Sequence, residues 1–339
     1  MKNNQLMIYG AYGYAGELMV REAVAQGLRP IIAGRDDEKL KPIATELSLE
    51  CRAFGVRNTG SNLQDISVLL NCAGPFSATA EPLARACLAQ QIHYLDITGE
   101  IDIFRKCHAL DEEARQQNVL ILPGAGTDIV PTDCLAAMLK EKLPVATRID
   151  LALSFGTNPS IGTVNTMIES FGKGGLIREG GMLKVVSNAF QMRKIPFQNK
   201  PQWAMTIPWG DVFTSGISTG VPDGAVYMAM PRMSIYMIRL TNPVKGILNT
   251  QFGQKITKRL AGWLMKKGPD AKALEAGRGQ FWGEAEAPDG EKLEMTMSTP
   301  NVYALTATVG IRIAQYCLDY TGPGGYYTCL LYTSPSPRD

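Results

Sequence analysis

Short apolar runs separated by longer mixed stretches fill the first 122 residues of the chain. Strands are predicted near 6–9, 30–33, 50–54, 68–72, 93–96 and 119–122, and helices near 14–26, 36–48, 78–90 and 100–117. Thr79 or Ala80 is expected to begin the third helix, with Pro82 in its first turn. Regular alternation of strand and helix predicts an α/β fold, a Rossmann-type doubly wound parallel sheet. The loops after such strands, here 73–76 and 97–100, face the ligand crevice.

The texture changes after residue 145. Arg148-Ile149-Asp150-Leu151-Ala152-Leu153-Ser154-Phe155 alternates as a half-buried strand does. A helix over about 162–171, a glycine-rich stretch to Gly181, and strands near 183–187, 203–207, 225–230, 279–287 and 291–299 are expected to follow. The sequence therefore divides into a dinucleotide-binding domain, 1–145, and an α+β substrate and dimerisation domain, 146–300, with a mixed or antiparallel sheet. A last helix, 302–318, is expected to pack back on the first domain.

The first strand runs into Gly10-Ala11-Tyr12-Gly13-Tyr14-Ala15-Gly16, which opens a helix. Gly10 suits a sharp exit from the strand, Gly13 close approach to a pyrophosphate, and Gly16 tight helix–sheet packing. The helix start offers free N–H groups and the positive end of its dipole to phosphates. Many such folds end the second strand in an acid that holds a ribose 2′-hydroxyl; this chain has Arg35, followed by Asp36 and Asp37. A guanidinium pairs with a 2′-phosphate, so NADP(H) is the expected cofactor. The competing reading makes Arg35 a solvated helix-start residue and gives the ribose to Asp36.

Composition narrows the remaining classes. The 339 residues carry 34 Lys/Arg and 32 Asp/Glu, a net charge of +2, which gives no ground for a nucleic-acid partner. The N-terminus lacks the pattern of a signal peptide and no apolar run is long enough to span a membrane, so a cytoplasmic location is expected. Seven scattered cysteines without a C-x-x-C, and only His93 and His108, suggest no zinc site and reduced thiols. Residues 239–270 hold seven Lys/Arg against one Asp, with Trp263, Leu264 and Met265 among them. A solvated helix face is the plain reading of that segment, and a membrane-surface or partner helix the alternative.

The glycine turn, Ala33-Gly34-Arg35, Asn71-Cys72-Ala73-Gly74-Pro75-Phe76, Tyr94-Leu95-Asp96-Ile97-Thr98-Gly99-Glu100 and 124–133 together resemble the saccharopine dehydrogenase-like NADP-dependent oxidoreductases. Ile207-Pro208-Trp209-Gly210-Asp211 and Ser218-Thr219-Gly220 look like the short bacterial branch. The resemblance spans roughly 6–328. It implies NADP and hydride transfer to an imine, as in saccharopine reductases, or to a carbon–carbon double bond, as in trans-acting enoyl reductases. Two positions depart from the family: Tyr12 stands where Thr is common, and Thr127 where Phe is common. The tail 329–339 resembles translated adapter sequence, and is expected to be foreign, disordered and attached to a truncated chain.

Cofactor contacts are thus expected from Gly10, Ala11, Tyr12, Gly13, Tyr14, Ala15, Gly16, Arg35, Ala73, Gly74, Pro75, Thr98 and Gly99. Glu100 and Asp128 are the candidate catalytic carboxyls, each with a plainer reading as a helix-start or capping residue. Trp209 and Asp211 are candidates for the substrate pocket, with sheet core as the plainer reading of Trp209. No Tyr-x-x-x-Lys occurs, which argues against a lysine-assisted tyrosine acid. Trp203, Met205, Trp209, Met228, Met230, Met233 and Met237 suggest an adaptable, lipid-like pocket, or periodic sheet core. The leading expectation is an NADPH-dependent reductase of a small-molecule enoyl or imine acceptor. The alternative is a non-catalytic NADPH-binding protein at a membrane surface.

Overall fold

The computed structural model describes residues 4–156, 174–244 and 277–328, with isolated positions 246, 250, 253 and 330. The helix expected over 162–171, most of the basic segment 239–270 and nearly all of the tail 329–339 lie outside the described residues. Contacts divide the chain into two units.

Unit 1 comprises Met1–Thr98, Asp102–Val130 and Tyr303–Asp339. Its strands are β1 (Leu6–Tyr9), β2 (Ile31–Gly34), β3 (Cys51–Ala53), β4 (Val68–Asn71), β5 (His93–Asp96) and β6 (Leu120–Leu122). They pair in parallel in the order β3-β2-β1-β4-β5-β6, the doubly wound order, in which the sequence of strand addition changes side between β1 and β4. β1, β2, β4 and β6 are buried throughout, because helices cover both faces of such a sheet.

The unit's helices are α1 (Tyr14–Ala25), α2 (Asp37–Leu47), α3 (Phe76–Ala89), α4 (Ile101–His108) and α5 (Asp111–Gln117). Two boundaries differ from expectation. α3 begins at Phe76 because Pro75, extended, serves as its N-cap; Pro82 is therefore inside the helix rather than in its first turn. The helix expected over 100–117 breaks at Ala109–Leu110, and Asn118 closes the second piece in the left-handed region.

Unit 2 comprises Gly99–Ile101 and Pro131–Val302. The change of unit falls at Val130–Pro131, ahead of 145. α6 (Val130–Lys142) turns Leu135, Ala136 and Leu139 into the core of the second sheet, and so belongs with it. That sheet contains β7 (Arg148–Ser154), β8 (Gly175–Glu179), β9 (Met182–Val186), β10 (Met192–Pro196), β11 (Pro201–Thr206), β12 (Asp223–Ala229), β13 (Gly279–Glu286) and β14 (Lys292–Thr299). Its main order is β10-β11-β12-β7-β13-β14, with β8 bridging β12 and β9. β12 and β7 run parallel and the other pairs antiparallel, a mixed sheet.

Alternation along β7 works as its sequence requires. Ile149, Leu151 and Leu153 enter one core while Ala152 enters the opposite one. Among the described residues, α7 (Asp211–Thr219) and α8 (Arg232–Leu240) also belong to this unit.

The terminal helix α9 (Val302–Leu318) returns to unit 1 apart from its first residue, and β15 (Gly325–Tyr326) adds a seventh parallel strand beside β6. α9 buries Ile311, Ile313, Ala314 and Cys317. Its Gly310 meets Met19 of α1, and Thr308 donates to Glu22 at 3.2 Å.

Candidate dinucleotide site

Gly10 leaves β1 with φ of +85°, a conformation side chains avoid, and a Cβ there would lie 2.7 Å from the Ala73 amide nitrogen. Gly16 is tighter still: its Cβ would stand 2.2 Å from the Gly10 carbonyl oxygen. The two glycines together bring α1 down onto the turn. The amides of Gly10 and buried Ala11 both donate to the Ala33 carbonyl, at 2.7 and 3.2 Å, which ties the turn to β2. Gly13 caps α1 without any side-chain cap. The first-turn N–H groups at Tyr14, Ala15 and Gly16 have no i−4 carbonyl inside the helix, the arrangement that suits an anion.

At the end of β2, the Tyr12 ring lies across Gly34, whose Cβ would fall 2.6 Å from a ring carbon. The Lys39 ammonium stands 5.6 Å from the centre of that ring. Asp36 caps α2, accepting from the Lys39 amide at 3.4 Å and pairing with its ammonium at 3.1 Å. That pairing holds the Asp36 carboxyl below its usual range. Arg35 is exposed and makes no hydrogen bond or ion pair with any described residue. A cradle that any Cβ would fill, followed by an unengaged guanidinium at the ribose end, fits a dinucleotide with a 2′-phosphate.

The loops after β4, β5 and β6 continue the row. Ala73 is half-buried and Gly74 and Pro75 are exposed. Asn71 accepts from the Ala73 amide at 3.0 Å and donates to Tyr94 Oη at 3.2 Å. Tyr94 donates to Asp96 at 2.9 Å. Asp96 also accepts the amides of Thr98 and Gly124, each at 3.0 Å. This fully buried carboxyl therefore shapes the starts of two ligand-side loops. Burial pushes it up to about 6, against the lowering effect of its donors. The sequence places Asp96 and Tyr94 in a motif but gives them no role; the signal available was a carboxyl ending an otherwise apolar strand. Thr98 and Gly99 are buried.

Asp128 lies on the loop after β6. That loop is anchored by the Ala125 amide on the Asp96 carbonyl, 2.7 Å, and by Thr306 of α9, which donates to Thr127 Oγ1 at 2.9 Å. Asp128 is partly exposed, bonds to no described residue, and its carboxyl is pushed up to about 7 by burial. Across the sheet of unit 1 the order is Arg35, glycine turn, 73–75, 97–98, Asp128, following strands β2, β1, β4, β5 and β6. Four strand spacings separate its ends, roughly 19 Å.

In unit 2, Glu100 is half-buried just before α4, and its backbone forms a bridge with Trp209, supported by the Gly210 amide on the Gly99 carbonyl at 2.9 Å. The two sequence motifs thus meet. Trp209 is core, its ring 5.7 Å from that of Phe155, and Asp211 is fully buried with Thr132 donating to it. Both residues proposed for the substrate pocket are thus buried, Trp209 packed in the core of unit 2 and Asp211 bonded to Thr132 at the start of α7. Met205 and Met228 are core as well, whereas Met233 and Met237 are exposed. Among the described residues, no three His, Cys, Asp or Glu side chains gather as a metal site.

Residues 6–122 match the family model of the saccharopine dehydrogenase NADP-binding domain. Over that stretch unit 1 is similar to a saccharopine dehydrogenase NADP-binding domain. The saccharopine dehydrogenase-like resemblance extends beyond it. A rat saccharopine dehydrogenase-like oxidoreductase is 25% identical over 60% of this chain and 53% of its own length. A Mycobacterium tuberculosis protein provisionally named a trans-acting enoyl reductase is 28% identical over 54% of this chain and 44% of its own. The chain spans about half the length of the rat and mouse relatives it matches, 53% and 47%. Yeast saccharopine dehydrogenase (L-Glu forming) shares the fold, with a TM-score of 0.65 at 9% identity over 96% of this chain and 93% of that one.

Proposed function

We propose that the saccharopine dehydrogenase-like chain is an NADPH-dependent reductase of an activated double bond: a conjugated, lipid-like enoyl C=C or an imine C=N. Arg35, the glycine turn 10–16 and the 73–75 loop would hold the cofactor. When bound, NADPH supplies the hydride. Reduction also takes one proton at the other atom of the double bond. The observation that carries the reading is Asp128, an unengaged carboxyl kept protonated to about pH 7 by burial. Asp96 is a poorer donor, since it is fully buried and committed to three donors of its own. The Glu100 backbone bridges Trp209, and this reading gives its carboxyl no proton to deliver.

The enoyl acceptor is favoured by the name of the mycobacterial relative, not by the methionines, because Met205 and Met228 lie in the core. The test is NADPH consumption against a panel of enoyl thioesters and cyclic imines. Turnover of one class, lost in Asp128→Asn with NADPH binding retained, supports the reading. Tight NADPH binding with no turnover of either class points instead to a non-catalytic NADPH-binding protein.

A further inference from the structure

α8 (Arg232–Leu240) has two apolar faces. Ile235 is fully buried and Ile238 packs against the core of unit 2. Met233, Tyr236, Met237 and Leu240 follow the i, i+3, i+4, i+7 spacing of the opposite face. They are 71%, 38%, 59% and 72% exposed. A surface helix normally turns polar groups outward, so an outward stripe of four large apolar side chains is an anomaly.

The stripe cannot be hidden by rolling the helix. Arg239 Nε donates to the Ala189 carbonyl at 2.9 Å, and Asn242 and Asn188 bond reciprocally at 2.8 and 3.1 Å just past its end. Arg232 lies over the Trp203 ring, 4.9 Å from its centre, at the other end. Inward and outward faces are therefore both fixed. The pinned end also brings Phe190, itself 45% exposed, beside Arg239.

Charge decides among occupants. From Gly224 to Pro269 the sequence carries eight Lys/Arg and no Asp or Glu. Arg232 and Arg239 bracket the stripe. An apolar stripe bracketed by cations, on a helix that itself has no Asp or Glu, matches a surface of anionic headgroups over acyl chains. Among the described residues no helix is long and apolar enough to cross a membrane, so the match is to lying on the surface. We propose that the outward face of α8 docks this protein onto an anionic lipid surface. Met233, Met237 and Leu240 enter the acyl boundary, Tyr236 stands at headgroup level, and the flanking arginines meet the phosphates. The proposal is independent of whether the chain reduces a double bond.

The test is co-sedimentation of the full chain with phosphatidylcholine vesicles, with and without about one-third phosphatidylserine. Binding should favour the anionic vesicles by about tenfold or more and weaken with salt. Met237→Glu with Leu240→Glu should lower it by about tenfold while NADPH affinity, a check on folding, stays unchanged. No binding to anionic vesicles, or equal binding by wild type and the double variant, overturns the proposal. A lipid-free dimer that the double variant dissociates assigns the stripe to a second copy instead, and also overturns it. Met237→Cys carrying a polarity-sensitive fluorophore gives a second reading. Its emission should shift to the blue only when anionic vesicles are added; a blue-shifted signal without lipid means the stripe is already covered.

Discussion

Asp36 is held by Lys39 twice, through the backbone amide at 3.4 Å and the ammonium at 3.1 Å. The first carboxylate after β2 is thus engaged as a helix cap, which supports giving the end of the strand to Arg35. Asp36→Ala should lower the urea midpoint modestly, through the loss of an N-cap. It should not shift the preference between NADPH and NADH. Urea unfolding together with cofactor titration measures both, and a gain or loss of NADH affinity by the variant would return Asp36 to the ribose.

Asp96 should matter through the loops it shapes. Asp96→Ala strands the Thr98 and Gly124 amides and the Tyr94 hydroxyl in a buried site, a loss of about 2–3 kcal/mol. A pH signature accompanies it. The folded carboxyl is raised to about 6, above its unfolded value near about 3.9, so the folded state binds the extra proton. Its contribution is fully present below about pH 4 and is lost as pH rises through about 6. Unfolding free energies measured between those limits should fall with pH in the wild type more steeply than in the variant. Parallel slopes would mean that Asp96 titrates normally.

Asp128 as proton donor predicts a one-sided pH profile. A carboxyl near 7 is protonated below that value, so turnover should decline as pH rises through about 7. Asp128→Asn should lower kcat by about a hundredfold and remove the decline, with the NADPH dissociation constant unchanged. A variant that keeps both its rate and its pH profile would assign the proton to another group.

Legibility in the sequence followed how local each signal was. The glycine turn, the strand alternation and Arg35 are contiguous features, and the structure places β1, β5 and α9 within the expected bounds. α7 was missed because Asp211-Val-Phe-Thr-Ser-Gly-Ile-Ser-Thr is rich in β-branched residues and serine with a central glycine, poor helix formers that only packing against unit 2 makes helical. β10 was missed because Met192-Arg-Lys-Ile-Pro is short and cationic, as an edge strand can be. Trp209 reads alike as pocket or core until its neighbours are known. The grip of Asp96 on Gly124 spans 28 residues and has no local signature.

The most direct test of the central claim needs no substrate. Fluorescence titration of the full chain with NADPH and NADH, repeated on Arg35→Ala, isolates the 2′-phosphate. A charge-assisted contact of about 1.5–3 kcal/mol predicts that the variant loses tenfold or more in NADPH affinity while its NADH affinity barely changes. Equal losses for both cofactors, or none for either, would contradict the account.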